Sequence, residues 1–291
     1  MAFNWREADD AEIEYQMNPR KTIENPMPLL EALPVRAAEA RESLEGFYDV
    51  RYGDRPKETI DVFPAQSDEL GTPPPAQIFI HGGYWRMMDK SDYSHLALPI
   101  VAAGATHISV NYDLCPEADL DIIVDEVKNA VAYCYTHADE LGIDAGRLHL
   151  AGHSAGGHLT GMMLRQDWKS MGLPEDILKS AVGVSGVYEP EPIMHTSINE
   201  DVRMDADMAR RNSALARAPT VPCPVLAIVG GDEPEGFHQQ TIAYGELRNY
   251  NGLETEYISV PGENHFTVID HLFRPGTAEF EKMIALMRVA G

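Results

Sequence analysis

The 291-residue chain predicts an α/β fold, a mostly parallel sheet covered by helices on both faces. Three observations carry this. Hydrophobic residues make up 44% of the chain and are spread along it, enough to bury one large core. From residue 77 onward, short apolar runs bounded by Gly or Pro alternate with segments of helical periodicity. Those runs are apolar throughout rather than alternating, as strands buried on both faces are.

The elements follow in order. Helices are expected near Glu7–Tyr15 and Leu29–Leu44, separated by Pro19, Pro26 and Pro28 and ended by Gly46. Three β-type runs come next, Tyr48–Tyr52, Thr59–Phe63 and Gln77–His81, punctuated by Gly53-Asp54 and by the turn Gly71-Thr72-Pro73-Pro74-Pro75. Strands at His107–Asn111, Arg147–Ala151, Ala181–Ser185, Val225–Val229 and Glu256–Val260 then alternate with helices at Leu120–Tyr135, Ala155–Trp168, Thr241–Tyr250 and Phe280–Val289. The segment 188–220 breaks the rhythm: polar, rich in Met and Arg, and too long for a simple βα loop, it is expected to be a helical cap insertion. The organisation is thus one domain over 1–291, with an N-terminal helical extension over 1–46.

Composition excludes several classes of function. The chain holds 23 Lys+Arg against 46 Asp+Glu, a formal net charge of −23, which repels nucleic acid and anionic membrane surfaces. Three cysteines, Cys115, Cys134 and Cys223, are too few for a disulfide framework or a zinc cluster. The opening residues are acidic and lack the basic and apolar regions of a secretory leader. The longest apolar stretch, Leu96 to Ala105, is about half of what spans a bilayer. A soluble, cytoplasmic protein acting on a small molecule is expected.

Chemistry first shows at RLHLAGHSAGGHLTG, where an apolar strand runs into Gly152-His153-Ser154-Ala155-Gly156 and a helix follows. This is the G-x-S-x-G nucleophile elbow of the α/β-hydrolase fold. The strand must turn sharply into the helix, so side chains two positions either side of the serine would collide. Ser154 is left at a helix N-terminus, where the dipole favours a developing anion. The bland reading is a Gly-rich turn with an idle serine. The flanking strand and helix, which the motif requires, count against it.

Upstream, His81-Gly82-Gly83-Tyr84-Trp85 ends an apolar strand. An H-G-G run there supplies main-chain N–H groups to an oxyanion, and the expected donors are Gly83, Tyr84 and Ala155. Such a donor typically contributes roughly 3–4 kcal/mol of transition-state stabilisation. By itself H-G-G is equally a tight turn capping a strand. His81 is expected to pin the loop rather than to act as a base. The order of a hydrolase triad is Ser, then Asp or Glu, then His. Of eleven histidines only His265 and His271 follow the last predicted strand, and His265, in the loop just past it, is the expected base. The acid should follow Val225–Val229, where Asp232 and Glu233 stand side by side. Adjacent side chains point in different directions, so only one can meet the imidazole, and periodicity leaves the choice open.

Taken together, HGGYW, GHSAGGH, GGDE and NHF in this order resemble the arylformamidase (kynurenine formamidase) group of α/β-hydrolase serine enzymes and the related bacterial carboxylesterases. The resemblance spans nearly the whole chain, from Tyr52-Gly53-Asp54 through Asp167-Trp168 and Val184-Ser185-Gly186-Val187-Tyr188 to Arg211-Asn212-Ser213. It implies Glu233 as the acid, in the spacing Val229-Gly230-Gly231-Asp232-Glu233 with Phe237 four beyond, where the animal enzymes carry Asp. It further implies a metal-free, cofactor-free cleavage of an aryl formamide resembling N-formylkynurenine, or of a short-chain ester, through an acyl-enzyme. Trp85, beside the oxyanion loop, is expected either to restrict the acyl pocket or to pack under the cap. Tyr188, with His195 and Asn199, is a candidate for the leaving-group pocket. The alternatives are a general short-chain carboxylesterase, a metal-dependent amidohydrolase, which the absence of H-x-x-x-H or H-E-x-x-H disfavours, and a non-catalytic binding protein on a hydrolase scaffold. The N-terminal helices have two open roles, covering the site or joining subunits of a homo-oligomer.

Overall fold

The computed structural model describes residues 3–289. Helix α1 (Asp10–Met17) starts where the Asp9 carboxylate accepts the Glu12 N–H at 2.9 Å, a side-chain N-cap. After the short 3-10 turn Pro19–Lys21 comes α2 (Met27–Ser43), with Pro28 in its first turn, where a missing N–H costs nothing. Strands β1 (Phe47–Arg51), β2 (Thr59–Phe63) and β3 (Ala76–Ile80) follow. The 3-10 helix Lys90–Leu96 leads into α3 (Ala97–Ala102), built from the apolar stretch to which periodicity gave no element. Next are β4 (Thr106–Val110), α4 (Leu120–Thr136), capped by Asp119, and the short α5 (Ala138–Leu141). Strand β5 (Leu148–His153) runs into α6 (Ala155–Met163). That helix stops five residues earlier than expected, because Asp167 caps a separate 3-10 turn at Trp168–Met171.

Beyond β6 (Ser180–Val184) the chain makes a 3-10 turn at Glu191–His195 and two short helices, α7 (Asn199–Val202) and α8 (Ala206–Arg211). Strand β7 (Val225–Gly230) and α9 (Glu235–Tyr250) follow, the helix starting directly after its N-cap Pro234, six residues before the expected Thr241. The chain closes with β8 (Thr255–Val260), α10 (Val268–Leu272) and α11 (Ala278–Val289).

All eight strands form one sheet in the order β1-β2-β4-β3-β5-β6-β7-β8. Only the β1–β2 and β2–β4 pairs are antiparallel. Strands β2 to β7 are buried along their whole length, and helices cover both faces with two separate apolar clusters. In register, Ile80 stands beside Gly152, His153 beside Val184 and Val184 beside Ile228. The loops leaving β3, β5, β6 and β7 therefore emerge side by side at one carboxyl edge. This is where open α/β sheets place their chemistry.

The cap does not behave as solvated surface. Ile193, Ile198, Val202, Met204 and Ala209 are all buried in the cluster that also holds β3 and α4. The segment 188–220 is packed down, with short helices and an apolar underside.

Histidines contribute to this interior. His81, His149 and His158 are depressed by burial to about 4, and His107 and His153 to about 3. Unfolded, each would titrate near 6.5. As pH falls below that value the unfolded chain takes up protons that the folded chain refuses, so stability is lost between about 6.5 and the folded values. Glu126, pushed up to about 7 by burial, and Asp92, also raised by burial, act in the opposite sense, two groups against five. We expect the melting temperature to be lower by roughly 10 °C at pH 5 than at pH 7. Thermal unfolding across this range measures it, and a flat profile would mean that these rings are protonated in the native state.

Candidate active site

Ser154 sits between β5 and α6 with φ 58° and ψ −116°, a strained geometry held by close packing on both sides. A Cβ on Gly152 would lie 2.1 Å from the Gly156 carbonyl oxygen, and one on Gly156 would lie 2.0 Å from the Ile80 carbonyl oxygen. Both glycines are thus required by backbone contacts, and Ser154 is presented at the first turn of α6.

Three residues far apart in sequence meet there. The Ser154 hydroxyl donates to His265 Nε2 at 2.9 Å, and His265 Nδ1–H donates to Glu233 Oε2 at 2.7 Å. Ser154 and His265 are each 3% exposed and Glu233 7%. Burial by itself raises the Glu233 carboxyl, but the His265 charge and hydrogen bonds from His265, Ser185 and Gly230 outweigh it and hold the group below its ordinary value. Asp232, its neighbour, is exposed, and its main-chain N–H donates to the Glu263 carbonyl. A hydroxyl, an imidazole and an ionised carboxylate in this line let the imidazole take the hydroxyl proton while the carboxylate fixes its tautomer.

Sequence patterns assigned no role to several groups that hold this line. Ser185, at the end of β6 with φ 50°, donates its hydroxyl to Glu233 Oε1 at 2.5 Å, and the Gly230 N–H reaches the same oxygen at 2.7 Å. His153 Nε2–H donates to the His265 carbonyl at 2.8 Å and so ties the His265 loop to the elbow. Phe237 packs on the His265 ring, with centroids 4.7 Å apart. His271 lies between Glu263 and Glu279, at 3.1 and 2.9 Å, and makes no hydrogen bond to Ser154 or Glu233. The signal for Ser185 was its place directly after β6, whose end lies beside the elbow strand.

The loop after β3 carries two of the three amides that the sequence offers as oxyanion donors, those of Gly83 and Tyr84. Gly83, Tyr84 and Trp85 all have positive φ, at 109°, 49° and 57°. A Cβ on Gly83 would meet the Met87 carbonyl oxygen at 2.1 Å, so that position is limited to glycine. Among the described residues, the N–H groups of Gly83, Tyr84 and Ala155 make no other main-chain hydrogen bond. His81 pins the loop: its ring faces the Gly82 carbonyl at 2.7 Å and Asn111 Oδ1 at 3.2 Å, and it stacks on Tyr112 with centroids 4.3 Å apart. The Tyr84 hydroxyl donates to the Met17 carbonyl at the end of α1.

Two expected pocket residues are elsewhere. Trp85 is fully buried and off the cavity wall; its Nε1–H donates to His158 Nδ1 at 3.2 Å, and His158 Nε2–H donates to the Asn212 carbonyl at 2.6 Å. It packs under the cap because its indole N–H needs a buried acceptor and α6 supplies one. Tyr188 is also fully buried, stacked on Tyr244 at 4.1 Å and 3°, and stays off the wall. His195 is paired with Asp10, and Asn199 is hydrogen-bonded to the Met204 backbone.

The cavity above Ser154 takes one wall from a different source. Helix α2 contributes Leu29, Leu30 and Leu33, facing Met88, Phe266 and Ile269. The cap adds Ile198. Arg36 of α2 grips Asp270 of α10 with two bonds of 2.6 and 2.7 Å. Burial raises the Asp270 carboxyl, but hydrogen bonds from His95 and Arg36 hold it well below the ordinary carboxylate range. Glu14 of α1 accepts both the N–H and the hydroxyl of Ser197 at 2.8 Å, fastening the N-terminal segment to the cap. Of the two roles left open for the N-terminal helices, the geometry of this wall is that of a cover.

Fold and carboxyl-edge geometry define an α/β-hydrolase. Comparison with known proteins narrows this. The BD-FAE family model matches residues 60–176. Kynurenine formamidase of Salmo salar is 30% identical over 283 residues, covering 92% of this chain and 93% of its own. That of Danio rerio is 31% identical over 277 residues, covering 91% of each. A crystal structure from a Silicibacter species, for which a thioesterase has been suggested, superposes with a TM-score of 0.81 at 30% identity, covering 97% of this chain and 99% of that one. The chain belongs to the kynurenine formamidase family, and it is a hydrolase.

Removing the Ser185 hydroxyl leaves a buried carboxylate one donor short. Ser185→Ala should cost about 1–2 kcal/mol in urea unfolding and lower kcat on an aryl ester about tenfold with little change in KM. Unchanged stability and unchanged kcat together would show that Glu233 does not depend on this bond.

Proposed function

We propose that the chain is a serine hydrolase that removes a small acyl group from an aryl formamide of the N-formylkynurenine kind. The observation that carries this is the buried relay from Ser154 through His265 to Glu233. It is joined to a bend whose amides make no other main-chain hydrogen bond among the described residues. In the proposed reaction Ser154 Oγ attacks the formyl carbon as His265 Nε2 takes its proton. The tetrahedral oxyanion is received by the N–H groups of Gly83, Tyr84 and Ala155. His265 then protonates the departing amine nitrogen, the C–N bond breaks, and a formyl ester remains on Ser154. Water, deprotonated by His265, attacks that ester, and formate leaves as Ser154 recovers its proton. Glu233 stays ionised throughout and stabilises the imidazolium.

The formamide reading is supported by the kynurenine formamidases that the chain resembles from end to end. A second reading, a short-chain carboxylesterase without formamidase activity, is favoured by the largely apolar wall of Leu29, Leu30, Leu33 and Phe266, which makes no demand for an amide. The proposed division of the chain keeps 1–46 as an extension that covers the site and 188–220 as a cap whose only contribution to the cavity wall, among the described residues, is Ile198.

Ser154→Ala should lower kcat/KM on both substrate types by at least about 10⁴-fold, and a phosphonate should label Ser154 in the unaltered protein. A label on another residue, or turnover that survives the substitution, would remove the assignment; a chain that never reacts would instead be a binding protein on a hydrolase scaffold. Comparing kcat/KM for N-formylkynurenine with that for phenyl acetate separates the two enzymatic readings. A higher value for the formamide supports the first, and a higher value for the ester supports the second.

A further inference from the structure

The bend after β3 holds two consecutive residues that are not glycine, Tyr84 and Trp85, at φ 49° and 57°. Residues with side chains enter this left-handed region only at a cost. They stay there only where their surroundings leave no alternative. In this bend each ring is tied at its polar tip. Trp85 Nε1–H is held by His158 of α6. The Tyr84 hydroxyl goes instead to the N-terminal extension, where it donates to the carbonyl of Met17, the last residue of α1. A helix leaves the carbonyls of its last turn without N–H partners of its own, so the phenol meets a need of α1 as well. Tyr84 is buried and packs edge-on against Trp85, with centroids 5.7 Å apart.

The same end of α1 also grips the opposite side of the site. Gln16 Oε1 accepts the Gly236 N–H at 2.9 Å, and Gly236 lies in the first turn of α9, just past Glu233. Packing there is tight: a Cβ on Gly236 would lie 3.1 Å from both the Gln16 carbonyl oxygen and the Met17 sulfur. Met17 is fully buried, and its sulfur lies 3.9 Å from Gln240 Nε2 of α9. One turn earlier, Glu14 holds Ser197 of the cap. Gln16 and Met17 thus bridge the bend carrying the Gly83 and Tyr84 amides and the turn that leads from Glu233 into α9.

We infer that the phenol of Tyr84 is a positioning group and that the end of α1, at Gln16 and Met17, is the clamp that fixes the bend after β3 relative to Glu233. Amides stabilise an oxyanion most when they are already aimed at the place where it forms. Loosening the clamp therefore weakens the transition state and leaves ground-state binding of the substrate nearly unchanged. This rests on the hydrolase reading above and gives the N-terminal extension a part in the chemistry besides covering the cavity.

The test measures phenyl acetate hydrolysis by the full chain in Tyr84→Phe, Gln16→Ala and the double variant. Tyr84→Phe should lower kcat about fivefold and keep KM within about twofold. Two inhibitors then separate positioning from mere packing. An aryl trifluoromethyl ketone accepts the Ser154 oxygen at its carbonyl carbon, and its own oxygen becomes the anion; its inhibition should weaken by the same factor as kcat. The matching aryl methyl ketone, bound without that adduct, should keep its affinity within about twofold. Gln16→Ala should lower kcat about threefold, and the double variant should lose no more than Tyr84→Phe alone, since both substitutions release one clamp. Losses that multiply to about fifteenfold would mean two independent contacts and overturn the inference. Unchanged kcat in Tyr84→Phe, or equal weakening of both ketones, also overturns it and leaves the hydrolase reading intact. Where Tyr84→Phe fails to fold, the two ketones on Gln16→Ala decide by the same criterion. An unaltered protein that cleaves neither aryl esters nor aryl formamides overturns the hydrolase reading, and the clamp with it.

Discussion

One close approach fixes the geometry on which the site depends. Helix α6 begins so near the end of β3 that the Gly156 α-carbon faces the Ile80 carbonyl with no room for a methyl group. Because β3 and β5 are paired in register, Ile80 against Gly152, this contact sets the height of Ser154 relative to the bend at Gly83 and Tyr84. A side chain at Gly152 or Gly156 would push the helix off the sheet and carry Ser154 away from those amides. The strained dihedrals of Ser154 persist because neighbours on both sides leave the backbone no alternative.

Charge is the second constraint. A buried carboxylate is costly unless its oxygens are occupied, and Glu233 has three donors, from His265, Ser185 and Gly230. They come from the end of β7, the residue after β6 and the loop after β8, so the carboxylate also knits these three parts of the carboxyl edge together. Around it the other rings are kept neutral by burial, His153 and His158 among them, and act as directed hydrogen-bond donors. His153 holds the His265 loop and His158 joins the bend after β3 to the cap. The motif GHSAGGH thus carries two structural imidazoles beside its serine.

The cavity is assembled from the start and the end of the chain as well as from its middle. Helix α2 supplies an apolar wall, and the Arg36–Asp270 pair closes it against the helix that follows the His265 loop. A paired-fork contact of this kind fixes orientation as well as distance. The segment 188–220 acts mainly from behind, packing Trp85 and Tyr188 into the interior.

The sequence by itself determined the fold class, all eight strands, the elbow at Ser154, the H-G-G bend and the place of His265 just past the last strand. These rest on patterns a few residues long: apolar runs, Gly and Pro punctuation, and the order of elements along the chain. Between Asp232 and Glu233 local pattern could not decide, because the choice depends on how the backbone turns after β7, where the Glu233 N–H closes onto the Gly230 carbonyl. Only the tertiary structure turned Trp85 and Tyr188 inward, brought Ser185 to Glu233 and laid α2 over the cavity. Each of these follows from layers packing across long separations, as between Arg36 and Asp270, 234 residues apart. Such contacts leave no short-range periodicity, since a half-apolar helix such as α2 fits equally against its own core or against a partner until the surface it covers exists.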